Sequence, residues 1–493
     1  MGRKCTAGCG VCGLVLGLLG ALSLTLFHLV VKFELGKLMP LKVGTFAYPY
    51  WKKAPIPVYM QFYVFDVINS DEVIETGAKP SVLERGPYTY RLEKEKVGIK
   101  YNDNNTVTYR QITWYYFERN MSVGYDNETF TNFNIPYLSV AYLVRFEYPW
   151  VQELINYALA ITGENLFKVV SVHDILYGYE DPLLKFVSQD IMGLFNMSHF
   201  LDPNFGLMYK WNGSDDGVYN VYTGSDDIFR AGFIDKWNYF KTLSFWSGKY
   251  ANMINGSDGE FFGPFVDSSK DMLFYSSQAC RSLLVKYQYT HSIKGIDVYR
   301  YLLPADTFAC PAEKPDNVGF CSPDSNHCMA SGVLNVSVCR NGSSGTLSFP
   351  HFLGADPDVI HGVDGLHPNS EQHSSFIDIE PTTGLPFQMV FRFQVGIHIT
   401  NNSIIKGLHN IRSLHMPIVW FNESAYIDDD LANKFKARLE LPMNIVHVMQ
   451  IILIIMGSLI LIGSAIRWFR KYKTVENDTE EKPLFTPVSL KND

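Results

Sequence analysis

The chain has 493 residues, 47% of them hydrophobic and 14% aromatic, and a formal charge of −8 from 42 basic and 50 acidic side chains. That much apolar material excludes a disordered chain and is ample for a large core. The negative balance excludes a nucleic-acid partner, which would have to be met by an excess of cations.

From the N-terminus, Arg3 and Lys4 precede a run from Val11 to Val31 that contains no Asp, Glu, Lys or Arg. Its length matches the roughly 20 residues that cross a hydrocarbon core as a helix. A cleaved signal peptide is the rival reading, but the run is long for one and no small-x-small site precedes a polar segment. Gly13 and Gly17 form a GxxxG pattern, expected to pack against the second span or another protomer if it does more than fill a Gly-rich helix. Cys5, Cys9 and Cys12 lie at the membrane boundary and read as S-palmitoylation sites, although Cys9 and Cys12 have CxxC spacing. The start, Met1-Gly2-Arg3-Lys4-Cys5-Thr6, also fits a loose myristoylation pattern.

No repeat, low-complexity stretch or long Gly/Ser linker interrupts the middle, so one large domain is expected. Val58–Phe65, Val107–Gln111 and Phe387–Val395 alternate apolar with polar or carry β-branched and aromatic residues, as strands with one buried face do. Gly86-Pro87, Asn212-Gly213 and Asn255-Gly256 supply turn signals. Between Trp150 and Phe167 the period changes: Trp150, Val151, Leu154, Ile155, Ala158, Leu159 and Ile161 recur at helical spacing, while Gln152, Glu153 and Asn156 fall elsewhere. This predicts an amphipathic helix that packs on its neighbours or presents a partner-binding face.

Five cysteines follow within a short stretch: Cys280, Cys310, Cys321, Cys328 and Cys339. Clustering of this kind fits a local disulfide framework in an oxidising compartment, and an odd number leaves at least one thiol over. Spacing does not assign the pairs, although a bridge from Cys321 to Cys328 would close a short loop. His351, His361, His367 and His373, with Asp356, Asp358, Asp364, Glu371 and Asp378 nearby, are the most metal-like group. Interleaved prolines put them on loops, and a structural role is preferred to a zinc site. No nucleophile elbow, phosphate loop, dinucleotide fingerprint or HExxH is present, so neither a catalytic residue nor a cofactor or metal is expected. A membrane-anchored hydrolase is the competing class and lacks any positive motif.

A second apolar run, Met443 to Ile466, ends at Arg467-Trp468-Phe469-Arg470-Lys471-Tyr472-Lys473. A basic cluster with aromatics at the boundary marks a cytoplasmic flank. The expected division is therefore a cytosolic segment 1–10, span 11–31, lumenal or extracellular domain 32–442, span 443–466 and cytosolic tail 467–493. Sequons agree: Asn104, Asn120, Asn127, Asn196, Asn212, Asn255, Asn335, Asn341, Asn401 and Asn422 all lie between the spans, and Asn477 alone falls in the tail.

Together, Arg85-Gly86-Pro87-Tyr88, Gly178-Tyr179-Glu180-Asp181-Pro182, Ser348-Phe349-Pro350-His351-Phe352, Gly365-Leu366-His367-Pro368-Asn369 and Asp378-Ile379-Glu380-Pro381 resemble the class B scavenger receptor family over nearly the whole chain. Pro55–Tyr63 and Ser331–Cys339 are most similar to its lysosomal member. The resemblance implies an α+β fold: a mostly antiparallel, β-barrel-like ectodomain with an apical helical bundle and an internal apolar tunnel, anchored by two transmembrane helices. It implies ligand binding at the apical helix (Trp150, Val151, Glu153, Leu154, Ile155, Ala158, Leu159) and passage of cholesterol, fatty acids or phospholipids through the tunnel. It also implies the pairs Cys280 with Cys339 and Cys321 with Cys328, with Cys310 left free because Ala251-Asn252 stands where relatives carry a third partner. The apical lysines of the family's fatty-acid translocase are replaced here by Ile161 and Gly163, which favours a protein cargo, such as a lysosomal hydrolase, over lipoproteins. In the tail, Glu480, Leu484 and Phe485 resemble an acidic dileucine signal, and Tyr472 with Val475 fits a tyrosine-based one, both read by clathrin adaptors. Endolysosomal membranes are thus the expected address and the plasma membrane the alternative.

Overall fold

The computed structural model describes residues 2–191, 202–340 and 344–480. The chain divides into two compact units, residues 1–35 with 429–493, and residues 36–428.

In the first unit, one helix runs Gly2–Leu38 and another Leu441–Glu480. The stretches Gly8–Phe27 and Asp429–Lys473 are long and apolar enough to cross a membrane. Both helices are apolar all round, as helices solvated by lipid are. They touch where side chains are absent: a Cβ on Gly13 would lie 2.9 Å from the carbonyl oxygen of Gly457 and 2.9 Å from the amide nitrogen of Leu461. The GxxxG pattern therefore meets the second helix of the same chain. Lower down, Gln450 Nε2 donates to the Ser23 carbonyl at 3.0 Å, and the rings of Phe27 and His447 lie 4.2 Å apart.

The second unit is built on a 13-stranded sheet. Eleven of its strands form one antiparallel path: β1 Val58–Val67, β2 Val82–Tyr101, β3 Thr106–Phe117, β4 Val218–Tyr222, β5 Ile234–Trp237, β6 Met272–Ser276, β7 Arg281–Ile293, β8 Ile296–Leu302, β9 Phe376–Ile379, β10 Pro386–Ile399 and β11 Leu414–Tyr426. Their spatial order is β6-β7-β8-β9-β10-β11-β1-β2-β3-β4-β5, and two short strands, Val333–Asn335 and Gly345–Ser348, join at β10. The three runs with strand character in the sequence all lie in strands, within β1, β3 and β10. Along β1, Val58, Met60, Phe62 and Val64 are buried, and Phe62 lies opposite Phe421 of β11 and Tyr88 of β2.

The sheet curls without closing its ladder. At the open seam between β5 and β6 a non-strand segment intervenes: Ile234 donates its N–H to the Gly256 carbonyl and Tyr275 donates to the Ser257 carbonyl, each at 2.8 Å. The result is barrel-like, with a slit bridged by one short stretch of chain rather than by paired strands.

Helices cap one end of this sheet. Ile135–Leu143 begins at Asn134, whose side chain accepts the Tyr137 N–H at 3.1 Å. The amphipathic helix runs Pro149–Thr162 and stops at Gly163, which adopts φ +70° and returns its N–H to the Leu159 carbonyl. The sequence expectation extended to Phe167, which instead opens the strand Phe167–Ser171.

Candidate functional site

Inside the curled sheet lies a cavity of about 450 Å³, within the usual range for small-molecule sites. Phe391 and Phe393 of β10 and Phe421 of β11 supply apolar wall. Charged groups also line it, among them Lys94, Asp258, Glu260 and Glu423, against the expectation of a purely apolar lining. Tyr90, Leu92, Lys94 and Lys96 alternate along β2, so the strand's period of two turns both lysines toward the interior face that Tyr90 and Leu92 occupy. Lys94 Nζ sits 2.7 Å from Glu423 and 3.6 Å from Glu260. Lys96, 2% exposed, pairs with Glu260 and lies 3.8 Å from Asp258, with the rings of Trp51 and Tyr109 at 5.6 and 5.4 Å. Gln111 donates to Glu260 and the Tyr109 hydroxyl to Asp258, each at 2.8 Å.

Charges this deep stay ionised only if paired and hydrogen-bonded. Burial opposes ionisation of Glu260, but Lys96 and Lys94 outweigh it and hold the carboxyl at about 2. Asp258 moves the other way, raised chiefly by burial. These groups went unread in the sequence because the run Glu93-Lys94-Glu95-Lys96 looks like a solvated charged face. The available signal was its phase relative to Tyr90 and Leu92.

The histidine group is only partly assembled. His351 and His373 are buried and stacked, with ring centroids 4.5 Å apart, whereas His361 and His367 are exposed. His351 Nδ1 accepts the backbone N–H of His367 at 3.1 Å, so the ring proton belongs on Nε2, which lies 2.5 Å from Glu84. Trp420 Nε1 donates to the same carboxylate at 2.8 Å. His373 Nδ1 likewise accepts from the Asn369 N–H, and burial, then His351, lowers its pKa to about 4. Each ring thus accepts a backbone N–H through its Nδ1, and burial disfavours the charged form of His373. Among the described residues no group of three His, Cys, Asp or Glu side chains is placed to hold a metal.

The helical cap splits the expected face. Ile155, Ala158 and Leu159 are buried, and so is Gln152, whose amide donates to the Glu147 carbonyl at 3.0 Å and accepts from Asn402 at 2.9 Å. Trp150 is 67% exposed, Val151 is half-buried, and Glu153 and Leu154 face outward. Phe146, Tyr148, Tyr157 and Ile161 extend this exposed apolar surface. Only part of the predicted ligand helix is therefore available to a ligand, and Phe146, Tyr148 and Tyr157 were missed. They were missed because two precede the periodic segment and the third belongs to its other face.

The structure pairs Cys280 with Cys339 and Cys321 with Cys328, and leaves Cys310 free. Cys9 and Cys12 are exposed free thiols on the first helix; the side chain of Cys5 lies outside the described residues. Asn104, Asn120, Asn127, Asn212 and Asn401 are exposed, and Asn255 and Asn422 half-buried. Asn335 is 6% exposed and its Oδ1 accepts the Ser337 N–H at 3.0 Å. Asn196 and Asn341 lie outside the described residues. So do Leu484, Phe485 and the side chains of Val475 and Glu480, while Tyr472 is exposed.

The family model described as the CD36 family matches residues 9–468. Scavenger receptor class B member 1 of Sus scrofa is 34% identical over 459 residues, 93% of this chain and 88% of the relative. Lysosome membrane protein 2 of Mus musculus is 36% identical over 458 residues, 92% and 93% of the two chains, and its Homo sapiens counterpart is 35% identical over 457 residues, again 92% and 93%. These relatives are named as a receptor and a membrane protein, and not as enzymes. The chain belongs to the CD36 family, the class B scavenger receptors.

Proposed function

We propose that this scavenger-type membrane receptor captures a protein or lipid-bearing cargo on its exposed apolar cap and passes lipid through the ectodomain cavity toward the bilayer. The cavity carries the reading: a space of about 450 Å³ with aromatic walls inside an anchored domain suits a lipid better than a reaction. Apolar burial along that path supplies the driving force. The basic cluster Arg467, Arg470, Lys471 and Lys473 favours a cytosolic tail. By chain continuity through two spans, the N-terminus shares that side, with Cys9 and Cys12 available for acylation.

The address we propose is the late endosome or lysosome, in keeping with relatives named lysosome membrane protein 2; the tail would engage clathrin adaptors, and a lysosomal hydrolase is the protein cargo of choice. Relatives named scavenger receptor class B member 1 support a second reading, lipid or lipoprotein uptake at the plasma membrane. Replacing Leu484 and Phe485 by Ala should move steady-state protein to the cell surface. Unchanged overlap with a lysosomal marker would sink the sorting assignment. Lipid conduction itself is tested by mass spectrometry of lipids that co-purify with the full chain, where a lipid-free ectodomain is the adverse outcome.

A further inference from the structure

Away from the large cavity, the free thiol Cys310 and the bridged pair Cys321 and Cys328 line one small cavity of about 30 Å³. That is the space of about one water molecule, so thiol and disulfide share a confined compartment. Cys310 follows the turn Ala305–Phe308, and its backbone N–H donates to Ser331 Oγ at 3.2 Å, which fixes its place in the wall. Cys321 follows the turn Pro315–Phe320 and is 6% exposed, whereas Cys328 is half-buried at the end of the surface loop that the bridge closes. A thiol in solution therefore meets Cys328 first, and Cys321 is open to attack from the cavity.

Two other wall residues are unmatched. Asn317 is 4% exposed, and its Nδ2 donates to the Ala309 carbonyl at 2.8 Å and the Thr307 carbonyl at 3.3 Å. Those bonds set the orientation of the amide, and Oδ1 is left without a donor among the described residues. Arg281 is 5% exposed, donates to the Thr307 carbonyl at 3.3 Å and lies 3.6 Å from the centre of the Phe320 ring. No carboxylate pairs with it among the described residues, and burial lowers its pKa to about 9. A buried acceptor without a donor and a buried cation without a counter-charge both cost free energy. A thiol in this cavity offers its proton to the first, and a thiolate its charge to the second.

We propose that Cys310 exchanges with the Cys321–Cys328 bridge, so that the protein has two disulfide forms of equal oxidation state. The Cys310 thiol yields its proton to solvent, and its sulfur forms a bond to Cys321 Sγ. The Cys321–Cys328 bond breaks, its electron pair leaves with Cys328 Sγ, and that sulfur takes up a proton from solvent. No electron is gained or lost, so neither oxidant nor reductant is needed. During transfer one negative charge is spread over three sulfurs, and Arg281 supplies the positive charge of that wall. The product carries a Cys310–Cys321 bridge and presents a thiol at Cys328, on a loop that its own disulfide no longer closes. That surface thiol is a modification site that the starting form lacks.

The test uses full-length protein in detergent at neutral pH with no added thiol. Exposed thiols are captured over time with a polyethylene-glycol maleimide too bulky to enter the cavity, and unreduced peptides are then mapped by mass spectrometry. Wild-type protein should accumulate a Cys310–Cys321 bridged peptide together with capture at Cys328. Cys310→Ser should lower capture at Cys328 about tenfold. Arg281→Gln should slow it by a similar factor, about tenfold, while Arg281→Lys, which keeps the charge, restores it. An intact Cys280–Cys339 peptide in the same digest reports that each variant has folded, and Cys310→Ala replaces Cys310→Ser if the latter has not. Capture at Cys310 alone, with the Cys321–Cys328 peptide intact, overturns the exchange. Equal capture at Cys328 in wild type and Cys310→Ser also overturns it, because the bridge then opens by another route. A Cys310–Cys328 peptide with Cys321 captured overturns Cys321 as the attacked sulfur.

Discussion

The helical cap and the barrel interior are inverted relative to each other. On the cap, Phe146, Tyr148, Trp150 and Tyr157 are more than half exposed, although each would gain by burial. In the interior, Lys96 is 2% exposed and Lys94, Glu260 and Glu423 line a cavity, although each would gain by hydration. Neither arrangement helps a chain fold. Exposed apolar area is useful only to something that covers it, and interior charge only to something that must be aligned there or excluded. On the proposed reading the two regions would serve two ligands, one met at a surface and one enclosed.

The interior half of the comparison breaks most severely. Lys96→Met leaves Asp258 and Glu260 with Lys94 alone, and should lower the unfolding free energy of the full chain in detergent by about 3–5 kcal/mol, the usual cost of removing one partner from a buried pair. Adding Glu260→Gln should recover most of that loss. Denaturant midpoints for the single and double variants decide it; equal midpoints would mean the cluster contributes packing and not charge balance.

A smaller effect separates the interior's acids from a half-buried pair of histidines. His415 stacks on His398 at 4.6 Å, and burial, then His398, lowers its pKa to about 3 from an ordinary 6.5. The unfolded chain takes up this proton near pH 6.5 and the folded chain only near 3, so its stabilisation is complete above 6.5 and declines as pH falls. At pH 5 the loss is about 2 kcal/mol, and His373, held at about 4, acts in the same direction. Glu260 does not join in until lower pH, because a depressed carboxyl keeps its contribution above its unfolded value of 4.5 and yields it toward 2. His415→Phe should therefore flatten the stability difference between pH 7 and pH 5 by about 2 kcal/mol, read from denaturation at both pH values. An undiminished difference would place the acid sensitivity elsewhere.

How far the sequence disclosed these regions follows from what each residue type signals. Val58 to Phe65 announce a strand because alternation survives into the fold as alternate burial. Gln152 was assigned to the polar face because periodicity counts an amide as wet, but Asn402, 250 positions away, satisfies it inside the cap. Lys94 and Lys96 went unread, since their partners Glu260 and Glu423 are brought near only by the curl of the sheet. Asn317 carries no sequence signal at all, because an acceptor without a donor among the described residues is a property of the assembled cavity.

The cap should show the smallest effect on stability and the clearest one on binding. Its central helix offers an internal control, since one face holds Ile155, Ala158 and Leu159 and the other Trp150, Leu154 and Tyr157. Phe146→Ser with Trp150→Ser removes side chains that are 87% and 67% exposed, so the denaturant midpoint should move by no more than the equivalent of about 0.5 kcal/mol. Ile155→Ala, by contrast, empties a buried position and should cost about 2–5 kcal/mol. If the outer face is a docking surface, the stable double variant loses cargo that cross-links to cap peptides in wild-type protein, because exposed aromatics are the residues that anchor interfaces. A double variant that keeps its cross-links while Ile155→Ala loses them would mean that the cap's shape matters and its apolar surface does not.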